Sequence, residues 1–294
     1  PAHSYWDDFF ALKGWKDGRE AAELLGRTDV AGWAGQQYQL LRDSLKQSIK
    51  KTAEFKKVVD FPPASADKGD MDVTSTTIAF YPCQEQDVYE EALLQKGYEK
   101  YFNEVMDRKK PGWSAGYTPY EVRNVPALVD LGHKDRAIAL LDYLNSCRRP
   151  PAWNHLAEVV LGDPRMGSYI GDMPHTWVGS GYMNAIRVLL IREQVDQLQL
   201  LRGVPESWVR DGQGILLERM PTHFGALNLK AKADGKKLTV DLSANFRTLP
   251  SGIELSWPLQ GKPARVTVDG AEWTDYDATG CRLAALPRQI VAEW

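Results

Sequence analysis

Residues 227–242, LNLKAKADGKKLTVDL, decide the class of the C-terminal fold. Apolar and polar residues alternate on both sides of Asp234-Gly235. Alternation of period two predicts half-buried strands, and Asp-Gly between two such runs predicts a hairpin with a type I′ turn. The pattern recurs over residues 265–273, around Asp269-Gly270. The end of the chain is therefore predicted to be a small antiparallel β-sandwich.

Upstream of these strands, apolar residues recur three and four positions apart, which is the period of an amphipathic helix. Helices are predicted over residues 5–25, 28–52, 71–80, 86–108, 118–131, 134–146, 152–160 and 176–194. Thr118, Pro119 and Glu121 have the spacing of a capping box, and Gly132 is expected to end one helix of an αα-hairpin. Repeated hairpins of this kind are typical of a helical bundle or an α/α toroid. The prediction is a mainly α chain with a β tail, divided into a toroid domain over residues 1–203 and a β-sandwich domain over residues 204–294.

Composition restricts the kind of partner. The chain has 36 basic and 39 acidic side chains and a net charge of −3, so it has no excess of cations to neutralise a nucleic-acid backbone. No apolar run approaches the roughly 18–20 residues that span a bilayer, and PAHSYWDDFF lacks the profile of a signal peptide. We therefore expect a small or uncharged partner, without nucleic acid or membrane. The first residue is Pro1, so a processed product or a part of a longer protein is expected. The compartment stays open, and a secreted or periplasmic location is favoured only if the chain is a processed fragment of a larger polysaccharide-degrading protein.

Metal and cofactor sites are not predicted. The three cysteines lack CxxC spacing, so neither a disulfide framework nor a thiolate zinc site is indicated. The aspartates at 67–72 lack the closing acid of an EF-hand, and His155 has no second histidine four residues later. The GxSxG, GxxxxGK[ST] and GxGxxG signatures are also missing, which weakens serine-hydrolase and nucleotide-binding interpretations.

Aromatic residues beside charged ones are the most informative feature of the helical part. The chain has ten Trp and twelve Tyr, and several lie next to Asp, Glu, His or Arg in predicted loops and first turns. Helix capping explains some of the acids but not the aromatic residues beside them. Aromatic rings stack on sugar rings, Arg and His bind hydroxyl groups, and a pair of carboxylates protonates the leaving oxygen and activates water. This combination predicts carbohydrate chemistry.

Five segments carry a resemblance to a known superfamily. They are HSYWDDFFALKGW (3–15), GDMDVTSTTIAFYP (69–82), YTPYEVR (117–123), RPPAWNHLAEV (149–159) and GDMPHTWVGSGY (171–182). In these segments the chain resembles the six-hairpin glycosidases, the (α/α)6-barrel superfamily of glucoamylase-like, trehalase-like and rhamnosidase-like enzymes. More narrowly, it is similar to the C-terminal catalytic portion of large bacterial proteins that carry discoidin-type modules. The resemblance implies inverting hydrolysis by two carboxylates. A full barrel needs twelve helices and eight are predicted, so an incomplete barrel that binds sugar without cleaving it is an alternative.

The leading hypothesis is a glycoside hydrolase that cleaves a glucan or another neutral oligosaccharide or polysaccharide. The candidate catalytic carboxylates are Asp8, Glu121, Glu158 and Asp172. The candidate substrate-binding residues are Tyr5, Trp6, Asp7, Asp70, Asp72, Tyr120, Arg123, Trp153, His155, His175 and Trp177. One alternative is a non-catalytic carbohydrate-binding fragment. Another is a polysaccharide lyase that uses Tyr120, Arg123, Asn154 and His155. Trp257 or Trp273 on the surface of the β tail would mark a secondary sugar site.

Overall fold

The computed structural model describes residues 2–110, 112, 116–148, 151–160 and 173–294. The chain divides into two compact units, Pro1–Met183 and Asn184–Trp294. The N-terminal unit is built from helices. Its α-helices are α1 (Tyr5–Leu24), α2 (Thr28–Lys56), α3 (Val73–Thr76), α4 (Glu91–Asp107), α5 (Asn124–Asp130), α6 (Lys134–Ser146) and α7 (Thr176–Leu190), the last of which crosses the boundary. Short 3₁₀ segments cover Thr77–Ala79, Gln86–Val88, Pro119–Arg123 and Pro151–Trp153.

The predicted α/α toroid, whether complete or incomplete, is wrong. The described residues form eight α-helices, and α8 (Glu206–Arg210) belongs to the C-terminal unit. These helices are too few for a six-hairpin toroid. The helix predicted over 152–160 is also wrong, because the 3₁₀ segment ends at Trp153 and Val160 instead forms a β-bridge with Tyr117.

Helices α1 and α2 form an antiparallel pair that fixes the start of α1. The Ser4 hydroxyl caps α1 by accepting a hydrogen bond from the Trp6 amide at 3.3 Å. Phe9 and Leu12 are fully buried on the inner face. Burial of each such side chain stabilises the fold by about 1.5–3 kcal/mol. The Tyr5 hydroxyl, at the start of α1, lies 2.9 Å from that of Thr52 near the end of α2. Trp6 is thereby held in a defined first turn.

Helices α5 and α6 form the predicted hairpin. Gly132 has a φ of +84°, in the left-handed region where glycine has no Cβ penalty, and it follows the C-cap residue Leu131. Leu128 and Leu140 on the two helices are fully buried. Because the 3₁₀ segment Pro119–Arg123 leads directly into α5, the packed hairpin fixes the position of Arg123.

The C-terminal unit contains two sheets. The strands are β1 (Ile191–Gln194), β2 (Gln197–Leu200), β3 (Ile215–Thr222), β4 (Gly225–Asp234), β5 (Lys237–Phe246), β6 (Gly252–Ser256), β7 (Arg265–Val268), β8 (Ala271–Glu272), β9 (Gly280–Leu283) and β10 (Gln289–Glu293). One sheet has the order β1-β2-β6-β9, and the other has the order β3-β4-β5-β10-β7-β8. Strands β2 and β6 pair in parallel, so the predicted wholly antiparallel arrangement is wrong in this sheet. Strands also begin at Ile191, within the predicted helix 176–194.

The alternation that predicts β4 and β5 is confirmed. The strands pair antiparallel from Asp234↔Lys237 outward, and the apolar residues on one face, such as Leu229 and Val240, join a single hydrophobic core. The type I′ turn occurs at the other Asp-Gly, where both Asp269 and Gly270 have positive φ. At the first turn only Gly235 does, so that type I′ prediction is wrong.

Candidate functional site

The segment from Tyr117 to Arg123 joins two regions of the N-terminal unit. Tyr117 and Val160 exchange backbone hydrogen bonds of 2.9 and 2.8 Å. The Thr118 hydroxyl accepts from the Tyr120 amide at 3.3 Å and donates to the Glu158 carbonyl at 2.7 Å. Thr118 is therefore the predicted cap, and it also brings the backbone of Glu158 beside the 3₁₀ segment.

Arg123 lies among three aromatic rings from separate parts of the unit. Its guanidinium carbon is 4.7 Å from the ring centre of Tyr120, 5.0 Å from that of Trp6 and 5.6 Å from that of Trp177. The Tyr120 and Trp177 rings meet edge to face at 5.8 Å. We call these four residues the Arg123 cluster. A cation over an aromatic face is attracted by the ring quadrupole, so the rings hold the guanidinium in place.

The Arg123 guanidinium has no carboxylate partner among the residues that the structure describes. Its Nη1 atom is buried and makes no hydrogen bond. Burial lowers the pKa of Arg123, and Tyr120 opposes this shift. Gly181 of α7 lies against this segment, since a Cβ there would be 3.3 Å from Cγ1 of Val122 and 3.6 Å from Cγ of Arg123, and only the first of these distances is tighter than ordinary contact. Gly181 was missed as a site residue, although the Gly-Ser-Gly run at 179–181 is a visible signal.

His175 extends the cluster through Tyr120. Its Nδ1 accepts the Val178 amide at 3.2 Å, which caps the first turn of α7. Because a backbone amide only donates, Nδ1 carries no proton and Nε2 carries it in the neutral ring. Nε2 lies 3.4 Å from the Tyr120 hydroxyl and 3.9 Å from a carboxylate oxygen of Glu158. The structure thus brings together five predicted site residues besides Glu158: Trp6, Tyr120, Arg123, His175 and Trp177.

The carboxylates at the start of α1 have different surroundings. Asp7 is exposed, whereas Asp8 is half-buried. Burial raises the pKa of Asp8, the charge of Asp7 raises it further, and His3 opposes the shift. Tyr5 is buried, and its hydroxyl is engaged by Ser48 and Thr52. The prediction that Tyr5 binds substrate is therefore wrong, because its side chain belongs to the α1–α2 core.

Glu121 is a structural residue, which corrects both predictions made for it. Its carboxylate accepts two hydrogen bonds from Nη1 of Arg108, at 2.8 and 3.0 Å, and one from the Tyr101 hydroxyl at 2.7 Å. Only 7% of the Glu121 side chain and 13% of the Arg108 side chain are exposed. Burial raises the pKa of Glu121, while the bonds and charge of Arg108 act against it. Glu121 therefore neither completes the capping box nor faces a substrate.

Asp70 and Asp72 hold a loop. The Asp72 carboxylate caps α3 by accepting from the amides of Thr74 and Ser75 at 3.0 and 3.2 Å. The Asp70 carboxylate accepts from the Ser65 hydroxyl, and the Asp70 carbonyl accepts from the Ala64 amide. Both carboxylates are therefore engaged in stabilising the loop. The structure offers no support for their predicted contact with substrate.

Two further predicted residues stand apart from the cluster. Trp153 is 62% exposed and His155 is also exposed. Within the described ranges, no hydrogen bond or ring contact joins either of them to the Arg123 cluster. Asp172, the fourth candidate carboxylate, lies outside the described residues.

No protein-family model matches the chain, and no curated protein is significantly similar to it. The resemblance to six-hairpin glycosidases accordingly stays a prediction from the quoted motifs. The Arg123 cluster supplies two indole rings and one cation with an unused donor, and a carboxylate beside an imidazole lies next to it.

The C-terminal unit has one feature relevant to the secondary sugar site. Trp257 is only 4% exposed and its indole N–H donates to the Asp277 carbonyl at 2.9 Å, so it is not a surface platform. Trp273 is half-buried and lines a cleft of about 560 Å³ together with Arg282 and Glu254. A secondary site at Trp273 stays a prediction.

Metal binding, thiol chemistry and membrane insertion receive no positive evidence in the described part of the chain. No group of three or more His, Cys, Asp or Glu side chains there is arranged to hold a metal. Cys83 and Cys281 are buried, and burial raises the pKa of each thiol to about 12, so thiolate chemistry is disfavoured. None of the helices searched there has the length and apolar character needed to cross a bilayer.

Proposed function

We propose that the N-terminal unit binds a carbohydrate chain at the Arg123 cluster and hydrolyses a glycosidic bond there. The observation that carries the binding proposal is the convergence of Trp6, Tyr120 and Trp177 on one guanidinium. The Trp177 side chain is 59% exposed, so an indole face is accessible to a sugar ring. Arg123 and His175 supply polar groups beside that face. A small number of precisely placed polar groups beside an aromatic surface is typical of small-molecule sites.

Binding is tested with a panel of neutral and acidic oligosaccharides, followed by tryptophan fluorescence and calorimetry. Replacement of Trp177 by Ala is expected to weaken binding roughly tenfold, because the stacking surface is lost. Trp33, which is 54% exposed and packs against Trp15, supplies the matched control Trp33→Ala. Equal affinities for wild type and both variants would contradict the placement of the site.

Hydrolysis is supported by the carboxylates that remain after Glu121 is assigned to the core. The raised pKa of Asp8 suits a general acid, which must hold a proton near neutral pH. Glu158 is half-exposed beside His175 and suits the general base. Asp8→Asn and Glu158→Gln are each expected to reduce turnover by about 10²–10⁴-fold with little loss of binding. Asp172→Asn is assayed alongside them. If turnover is measurable and all three variants retain it, this assignment of the catalytic pair is wrong.

A lyase reaction is the second candidate, and a specific contact favours it. The Tyr120 hydroxyl lies 3.4 Å from Nε2 of His175, and Arg123 lies over the Tyr120 ring. In this reaction on an acidic sugar, a proton is removed from the ring carbon that bears the sugar's own carboxylate. The bond between the neighbouring ring carbon and the glycosidic oxygen then breaks, and the leaving oxygen takes up a proton. The product carries a carbon–carbon double bond and absorbs in the near ultraviolet. New reducing ends without that absorbance would instead identify hydrolysis.

A further inference from the structure

Arg123 differs from other partly buried arginines of the N-terminal unit. Arg42 donates to Glu85 at 2.9 Å, Arg108 pairs with Glu121, and Arg136 pairs with Glu99 at 3.2 Å. Arg123 contacts three rings instead, and no carboxylate in the described ranges lies within ion-pair distance of it. Arg148 has no carboxylate in the described ranges either, but it donates to the Asn145 carbonyl and to the Asn154 amide oxygen. Among these five arginines, only Arg123 has neither a carboxylate nor a hydrogen-bond acceptor in the described residues.

An unpaired guanidinium in a half-buried position is costly. Burial removes water from the charge without an ionic bond to replace it, and a buried donor such as Nη1 that has no acceptor calls for an explanation. The lowered pKa of Arg123 has the same physical cause, which is the loss of solvent around the charge. Aromatic rings compensate only in part, because they attract the cation but accept no strong hydrogen bond.

We propose that Arg123 is the subsite for the carboxylate of an acidic sugar, a hexuronate unit whose ring stacks against Trp177. The planar guanidinium presents its donors as a fork that matches a carboxylate, and such pairs form the stronger class of hydrogen bond. The inference rests on the proposed function, since it requires that the cluster binds carbohydrate. It replaces the expectation of a neutral substrate, which came from the net charge of the whole chain rather than from this site.

The first experiment uses the wild-type chain and matched ligands. Oligosaccharides of galacturonate, glucuronate and mannuronate are measured by calorimetry as free acids and as methyl esters, which have the same sugars without the charge. At least one free acid is expected to bind about 10–100-fold more tightly than its ester, the range for a hydrogen bond to a charged group. Equal binding of acid and ester throughout the series would overturn the proposal.

Variants then assign the effect to Arg123. Arg123→Gln is expected to weaken binding of the acid far more than binding of the ester, so that the acid loses its preference of about 10–100-fold. Arg123→Lys keeps the positive charge but loses the planar pair of donors. Its affinity for the acid is expected to lie between those of wild type and Arg123→Gln. Arg136→Gln is the matched control, since Arg136 also lies over a ring, Phe102, but pairs with Glu99. If Arg123→Gln weakens acid and ester equally, Arg123 serves packing and the proposal is wrong.

The outcomes separate this inference from the proposed function. Binding of neutral sugars with no preference for acids would leave carbohydrate binding intact and overturn the carboxylate subsite. Binding of no sugar, neutral or acidic, to the folded wild-type chain would overturn both. The acid–ester comparison needs no variant, so it decides the question even if Arg123→Gln does not fold.

Discussion

Two arginines of the N-terminal unit, Arg108 at the end of α4 and Arg123 at the end of the 3₁₀ segment, have different surroundings. Arg108 donates to both oxygens of Glu121, and Tyr101 adds a third hydrogen bond to the same carboxylate. Arg123, two residues after Glu121, is surrounded by aromatic rings and leaves Nη1 without an acceptor. The Glu121 carboxylate accepts three hydrogen bonds within the protein, whereas Nη1 of Arg123 makes none. Glu121 and Arg123 lie in one motif, YTPYEVR, so membership of a motif does not distinguish a charge that is paired within the protein from one that is not.

The largest expected effect is the loss of Glu121. In Glu121→Ala the Arg108 charge stays largely buried with no carboxylate, so the free energy of unfolding is expected to fall by about 3–5 kcal/mol. Urea unfolding measures the change. The control is Glu99→Ala, which breaks a more exposed pair with Arg136 and is expected to cost about 0–1 kcal/mol. Similar losses in the two variants would show that Glu121 is not the structural anchor that its contacts indicate.

A smaller effect is expected from Tyr101. Tyr101→Phe removes one donor to Glu121 but leaves Arg108 in place, so unfolding is expected to become easier by about 1–2 kcal/mol. The double variant with Glu121→Ala supplies the control, because the Tyr101 substitution should cost less once its acceptor is gone. Additive losses would mean that the Tyr101 hydroxyl does not act through Glu121.

The sequence predicts local structure better than long-range structure in this chain. Strands β4 and β5 follow from their own alternation and a glycine turn, which are properties of adjacent residues. Strands β1 and β2 were missed because β2 pairs in parallel with β6, far along the chain, and because Val195 occupies their turn with a φ of +57°. A β-branched residue rarely adopts that conformation, so no turn residue marks the hairpin.

The same limit applies to the candidate site. The residue types of the Arg123 cluster were recognised from motifs that combine aromatic and charged residues. Glu121 is a structural acid because it pairs with Arg108 at the end of α4. No local sequence pattern indicates that Arg108 approaches Glu121. Tyr5 was misassigned for the same reason, since its partners Ser48 and Thr52 lie on another helix.

Arg123 itself is expected to contribute little to stability. In Arg123→Met the aliphatic contacts persist, the attraction to the rings is lost, and the cost of the unpaired charge disappears. These changes oppose each other, so the free energy of unfolding is expected to stay within about 1 kcal/mol of wild type. Arg136→Met is the control in the same urea series. A loss as large as that of Glu121→Ala would place Arg123 with the structural charges and remove the contrast.

The smallest change in the free energy of unfolding is expected from Asp8→Asn, and this change depends on pH. Because the folded-state pKa of Asp8 is raised above 3.8, its ionised form destabilises the fold above that folded pKa, and the penalty disappears as pH falls below 3.8. Asp8→Asn removes the penalty and should stabilise the chain at pH 7 by only about a few tenths of a kcal/mol, since water screens the half-exposed group. Thermal unfolding from pH 3 to pH 7 should show the stabilities of wild type and Asp8→Asn converging at the acid end.

The exposed neighbour supplies the control, Asp7→Asn. This variant also removes the charge repulsion on Asp8 and should give a smaller gain in stability in the same direction. A loss of stability in Asp8→Asn at neutral pH would mean that the charge of Asp8 is held by a favourable contact, which contradicts the environment required of a general acid.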